Sequence, residues 1–414
     1  MQAGRRAVRR LRTLPVPALA LPLGLALGLA GPPLCAQPQD GLSLSAGYRI
    51  QHDDNLFRLP DGADPQRVLG RADAGETVRL RSVGLRYAHD FGLQRLEADL
   101  GLVDYAYDRY TQLDLLARNH NLRWRWAVTP WITGTLRSQR DESVNSFADA
   151  SVLTQGNRRL RRDDSADLRW QVDARWSLLA DVRDTSNINQ QPLLGEASER
   201  LRSGAIGLRH DTARGSSAVL RLRSGRGETL DPLRTPDPLR DNGFSQHEWL
   251  LDLAWPATGQ LSVDAGLARV QRRHQRLALR DYDATNTRLN LSWTPTAKTL
   301  LRWSASEDTD SYQTAQSSIA RTQRWSLLAN WSITPRLALT LQTGEERRRA
   351  LQPPPGQAPD PRRDRTRDQS LGLRWSVQDN ASLDLRWQRV RRFSTDPGAT
   401  FDSRALSLGL NASF

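Results

Sequence analysis

The sequence predicts an all-β fold, a transmembrane antiparallel up-and-down β-barrel of about 18 strands with short turns at one end and long loops at the other. Three observations carry this. Apolar and polar residues alternate strictly in segment after segment, which gives a strand one apolar and one polar face. These segments come in pairs joined by short turns. The connections between pairs are long and polar.

The chain begins with a targeting segment. Arg5, Arg6, Arg9, Arg10 and Arg12 form a cationic region, and an apolar core follows from Leu14 to Ala30. Pro32 and Pro33 stop any helix, and Leu34-Cys35-Ala36 offers a cleavage site before Gln37. The expected organisation is therefore a cleaved secretory signal peptide, 1–36, and a single barrel domain, 37–414. Cys35 is the only cysteine and falls in the signal, so the mature chain has no disulfide and no thiol chemistry. After Gln37 no apolar run is long enough for a transmembrane helix. Hydrophobic content is 38% and mean hydropathy is −0.61, with no linker or composition shift that would divide the chain into domains.

Hairpins follow along the whole chain. Leu289–Trp293 and Thr299–Trp303 flank a Pro295 turn. Trp325–Trp331 and Leu337–Leu341 flank Thr334-Pro335. Leu371–Val377 and Leu383–Trp387 flank Gln378-Asp379-Asn380. Further turns lie near Asp90, at Thr129-Pro130, at Asp173-Ala174, from Asp211 to Gly215, and from Pro256 to Gly259. Pro, Asn, Asp and Gly supply the turn chemistry. Eight hairpins plus one strand at each end, Gly41–Ile50 and Ser403–Phe414, make the eighteen. Long connections are expected at about His52–Glu76, Ser138–Asp164, Thr185–Glu199, Gly225–Ser245, Glu307–Ala320 and Gly344–Asp368. Short periplasmic turns and long outer loops are the outer-membrane pattern. Trp126, Trp131, Trp176, Trp255, Trp293, Trp331 and Trp375 sit within a few residues of a short turn, where amphipathic rings would line the headgroup level. The last strand places Leu406, Leu408, Leu410, Ala412 and Phe414 on alternate positions. It resembles the closing strand of bacterial outer-membrane barrels, which implies that Phe414 is an assembly signal and that the strand pairs with Gly41–Ile50.

If leucine and tryptophan face lipid, the intervening residues face the lumen. That parity sends Arg86, Arg123, Arg125, Arg169, Arg183, Arg209, Arg221, Arg223, Arg288, Arg302, Arg324, Arg374 and Arg386 inward, along with Glu97, Asp99, Asp167, Asp181, Asp252, Asp264 and Asp384. The thirteen-to-seven positive excess predicts a lumen that favours anions. Guanidinium groups suit carboxylate and phosphate, and a ladder of weak sites lets cargo leave. The expected contact residues are Arg123, Arg125, Arg169, Arg209, Arg221, Arg223, Arg302, Arg324, Arg374 and Arg386. Net charge is +13, five of it from the signal arginines, and Lys298 is the only lysine.

After the first strand comes Asp53-Asp54-Asn55-Leu56-Phe57-Arg58-Leu59-Pro60. Read physically, the Asp-Asp-Asn cluster could cap a turn, which is the favoured reading, or bind a calcium ion or a sugar hydroxyl network. A calcium loop would need more oxygen ligands at regular spacing. With Gly47-Tyr48-Arg49-Ile50 before it, the segment resembles the start of EpsL-type proteins, outer-membrane β-barrels encoded with bacterial exopolysaccharide operons, within the wider group of β-barrel porins. The matching residues are Asp53, Asp54, Asn55, Phe57 and Arg58. The resemblance implies an outer-membrane channel or assembly component for export of an anionic exopolysaccharide. The alternative is an anion-preferring general diffusion porin, and a purely structural or adhesive barrel is a further reading. Ser138–Asp164 is long enough to fold inward as porin loops do.

No enzyme, cofactor or metal site is expected. The histidines (His52, His89, His120, His210, His247 and His274) lie in no serine-nucleophile motif, and no metal-ligand cluster or nucleic-acid module is present. The implied partners are outer-membrane lipids, the barrel assembly machinery and an anionic polysaccharide, with separate periplasmic and inner-membrane proteins needed to bridge the gap. The pI of 10.9 would suit nucleic acid, but export to the outer membrane puts the chain in another compartment.

Overall fold

A computed structural model describes residues 40–149, 156–191, 198–230, 243–276, 278–311, 319–351 and 362–414. The expected signal peptide, with Cys35 and its cleavage site, lies outside the described residues. Eighteen strands form one antiparallel sheet. The first six are β1 Gly41–Asp53, β2 Glu76–Phe91, β3 Gln94–Tyr107, β4 Leu115–Thr129, β5 Ile132–Val144 and β6 Arg158–Gln171. The next six are β7 Trp176–Asn189, β8 Glu199–Asp211, β9 Ser217–Thr229, β10 Gly243–Pro256, β11 Leu261–His274 and β12 Tyr282–Thr296. The last six are β13 Thr299–Ser311, β14 Ile319–Ser332, β15 Leu337–Ala350, β16 Arg363–Gln378, β17 Ala381–Ser394 and β18 Phe401–Ser413.

The sheet closes on itself. β1 pairs with β18 from Ser45↔Ser413 to Asp53↔Ala405. Leu44 and Phe414 exchange both backbone bonds, at 2.8 and 2.7 Å, so the last residue completes the seam. Closure leaves no strand edge to pair with another chain. Among the described residues, no helix is long and apolar enough to cross a membrane.

Alternation sorts the two faces. Leu406, Leu408 and Leu410 of β18 point outward and are about half exposed, as are Leu371 and Trp375 of β16. The tryptophans within strands share this outward parity. A continuous outward apolar belt has no partner in the chain and is the surface that bilayer hydrocarbon would cover. Local sterics follow from it. Trp126 lies over Gly134 of the next strand, where a Cβ would stand 2.5 Å from the indole, so only glycine fits beneath the ring. Gly92 makes the β2–β3 turn at φ +63°, a conformation open to glycine at little cost.

Several strands run farther than the sequence pattern suggested. The expected loop Ser138–Asp164 begins and ends in strand, since β5 continues to Val144 and β6 starts at Arg158. Gly344–Asp368 is shortened in the same way by β15 and β16. Above the apolar belt both faces of a strand are wet, so alternation disappears while backbone pairing continues.

Candidate functional site

The inward face is polar near the short turns and becomes a packed plug near the long loops. The first long loop, residues 54–75, folds into the barrel mouth and carries the helix α1, Pro65–Leu69. Leu56, Phe57 and Leu59 pack on Val78 and Leu80 of β2, Val103, Tyr105 and Tyr107 of β3, and Ala117 of β4, all inward-facing. Phe57 is 1% exposed and meets Tyr110 and Phe147 edge to face, with ring centroids 4.7 and 4.9 Å apart.

The Asp53–Arg58 segment anchors this loop. Asp53 accepts from Asn55 N at 3.0 Å and from Ser403 Oγ at 2.9 Å, and pairs with the Arg58 guanidinium at 2.9 Å. Arg58 stands in the left-handed region at φ +57° and also donates to Ser403 Oγ at 2.7 Å and to the Asn55 carbonyl. Asn55 bonds Leu59 in both directions and donates to the Asp402 carbonyl at 3.1 Å. Asp54 accepts from Arg404 N at 2.7 Å. Every polar residue of the motif is thus engaged in turning the chain and tying it to β18. Among the described residues, no group of three His, Cys, Asp or Glu could hold a metal.

A second loop joins it. The connection between β5 and β6 brings Phe147 onto Phe57, and the Arg392 guanidinium of β17 donates to the Ala148 carbonyl at 3.4 Å. β17 lies six strands from β5 around the barrel, so residues 145–149 reach over part of the mouth. Glu76, fully buried, supports the neighbouring loop by accepting from the backbone of Arg109 and Tyr110, each at 3.1 Å. At the rim, Arg109 hydrogen-bonds Asp73 and holds its carboxyl below the usual range.

Below the plug, the arginines singled out from the sequence face the lumen and mostly share carboxylates. Glu97 gathers three guanidiniums, Arg95 at 2.8 Å, Arg123 at 3.1 Å and Arg125 at 3.2 Å. Asp211 takes Arg169 and Arg209, at 3.0 and 2.7 Å. Arg221 pairs with Asp252 at 3.0 Å and Arg223 with Glu248 at 3.3 Å. Arg324 bridges Asp308 and Glu346, at 3.3 and 2.8 Å, and Arg374 pairs with Asp384 at 2.6 Å. Arg386 bonds Ser370 at 3.2 Å. The Arg302 side chain makes no hydrogen bond or ion pair among the described residues.

This corrects the charge tally. Asp163, Asp211, Glu248, Asp308 and Glu346 also face inward and pair with these arginines, so the thirteen-to-seven excess does not describe the lumen. Cations are instead concentrated locally, three on Glu97. Arg49, Arg95 and Arg137 face inward as well, and the same alternation could have found them.

Two other features are placed by the fold. Phe414 is 72% exposed beside Leu44 at the short-turn end. His120 lies 3.2 Å from Ser138 Oγ on the outward face, and no described carboxylate bonds the histidine's other nitrogen, so no triad is assembled.

No family model and no curated protein matches the chain. Solved structures with a similar fold come from Pseudomonas aeruginosa. OccK9 (OpdG) has TM-score 0.50 and 14% identity, covering 90% of this chain and 98% of its own. OccK2 (OpdF) has TM-score 0.50 and 13% identity, over 90% and 97%. The outer membrane protein opdK has TM-score 0.49 and 11% identity, over 90% and 99%. At these identities the likeness is one of fold. The EpsL-type resemblance of the Asp53–Arg58 segment finds no support among these comparisons.

Proposed function

We propose that the chain is a bacterial outer-membrane channel for small water-soluble solutes, with a preference for anions. Its seam is closed at the periplasmic end by Phe414, which serves as the assembly signal. The observation that carries the reading is a lumen narrowed at its mouth by the first loop and by residues 145–149, with three guanidiniums gathered on the one carboxylate of Glu97. Three arginines on Glu97 leave donor capacity for a passing carboxylate, with Arg125 the most accessible at 49% side-chain exposure. Each contact is weak enough to release its ligand.

Export of an anionic exopolysaccharide, the use implied by the Asp53–Arg58 resemblance, stands second. The same guanidiniums would contact a polymer, but both inward loops would first have to leave the mouth.

Reversal potentials across a planar bilayer under a salt gradient test both readings. The wild-type barrel should pass small ions and favour chloride, and Arg123→Gln with Arg125→Gln should reduce that preference severalfold. Cation selectivity, or no change in the double variant, would count against the anion reading. A barrel that conducts only once the first loop is released, as in Arg58→Ala, would move the assignment to export.

A further inference from the structure

The outward face of β14–β18 carries arginines that oppose one another. Just beyond the belt formed by Leu341, Leu371, Trp387 and Leu406, the ladder pairs Arg389 directly with Arg404 and Arg367 with Arg391. Higher up, Arg347 stands opposite Arg365, and Arg349 opposite both Arg363 and Arg321 of β14. Like charges directly opposite on a sheet are destabilising. Five such pairs on the adjacent strands β14–β18 work against the fold unless something else neutralises them.

The chain's own acids are too few. Glu345 is ringed by Arg347, Arg365 and Arg367 at 2.7, 2.6 and 3.0 Å, and Asp402 takes Arg389 and Arg391 at 2.5 and 3.2 Å. The guanidiniums of Arg349, Arg363 and Arg404 have no ion pair among the described residues. Elsewhere on the outward face opposed arginines occur singly, Arg140 with Arg162 and Arg202 with Arg226, and acids stand beside others, Arg81 opposite Asp104 and Arg202 opposite Asp184.

We infer that this patch is a binding site for the phosphate groups of a glycolipid headgroup in the outer leaflet. The inference rests on the outer-membrane reading above, which places the patch at headgroup level. Arginine forks match phosphate oxygens two at a time, and an anion lying across β14–β18 would turn each repulsive pair into a shared clamp. The apolar belt directly beneath would take the acyl chains of the same lipid.

The test uses the full barrel purified in neutral detergent and a synthetic lipid A, with and without its phosphates, titrated by native mass spectrometry. The wild type should bind the phosphorylated form at least tenfold more tightly. The triple variant Arg349→Gln, Arg363→Gln, Arg404→Gln removes no partner of any acid and should lose most of that preference, about tenfold or more. The same charge change at outward arginines that face no other arginine, Arg81→Gln, Arg118→Gln, Arg269→Gln, should leave it intact. In phosphate-free detergent the first triple should resist denaturant better than wild type, because repulsive pairs are gone. Equal binding of both lipids by the wild type, or equal loss in both triples, would overturn the inference. Planar-bilayer conductance separates the two proposals, since a conducting barrel without phosphate preference refutes only the lipid site. A barrel that fails to conduct refutes the channel.

Discussion

Two arginine–aspartate pairs hold the first long loop, one near each end, and they differ chiefly in their surroundings. Arg58–Asp53 spans 2.9 Å with side chains 5% and 1% exposed, and Arg109–Asp73 spans 2.7 Å with side chains 40% and 59% exposed. The first lies beside the Phe401 ring in a dry pocket, and the second sits at the rim. Coulomb attraction in water is offset by solvation and screened by salt, so an exposed pair contributes about 0–1 kcal/mol. A buried pair is different. Removing one partner leaves a desolvated charge, at about 3–5 kcal/mol. The dry pair therefore fixes the loop, while the rim pair adjusts it. Around Glu97 the two cases meet: Glu97, Arg95 and Arg123 are 15%, 16% and 18% exposed, while Arg125, at 49%, is on the wet side and is the group suited to exchange its partner for a solute.

The largest effect should come from Arg58→Ala. It leaves Asp53 buried with only Asn55 N and Ser403 Oγ as donors, and it removes the guanidinium lying 6.0 Å from the Phe401 ring. The loop should leave the mouth while the barrel wall stays folded. Trypsin should then cut at Arg67 or Arg71, and single-channel conductance should rise. Protection and conductance equal to wild type would show that the buried pair does not hold the loop.

The sequence exposes the wall better than the plug. Alternation marks a strand only where one face is apolar and the other polar, which holds beside the belt and fails above it. Glu345-Glu346-Arg347-Arg348-Arg349 is polar on both faces and reads as loop, yet it is the upper part of β15. The same failure hid the acids. Asp163, Asp308 and Glu346 fell in stretches read as loops and Asp211 in a turn, so their arginine partners looked unpaired. In the Asp53–Arg58 segment the local turn was legible. Its partner Ser403 is 350 residues away and Phe147 is recruited from another loop, and neither leaves a local signal.

A middle-sized effect should come from Phe57→Leu, which keeps the site apolar but removes two edge-to-face contacts. Such contacts contribute about 0.5–1.5 kcal/mol each, and the volume change is small. The expected loss is about 1–3 kcal/mol of loop stability, read as faster hydrogen exchange in both the first loop and the residues around Phe147. Acceleration in the first loop alone would mean that the β5–β6 loop holds its place through Arg392 instead.

The smallest effect should come from Asp73→Asn, on the wet side of the comparison. Asp73 keeps its low pKa through the hydrogen bond from Arg109, so its contribution is complete above about pH 4 and fades as pH falls through the depressed folded value. With both side chains exposed, screening limits that contribution to less than about 1 kcal/mol. Loop protection in the wild type should stay level from neutral pH to about pH 4 and weaken only below it. The variant should lack that acid-side step and differ little from wild type near neutrality. Raising salt should shrink the difference further, because an exposed pair is screened. A loss at neutral pH as large as that of Arg58→Ala would mean that the rim pair is buried when the barrel is embedded, and the contrast between the two pairs would disappear.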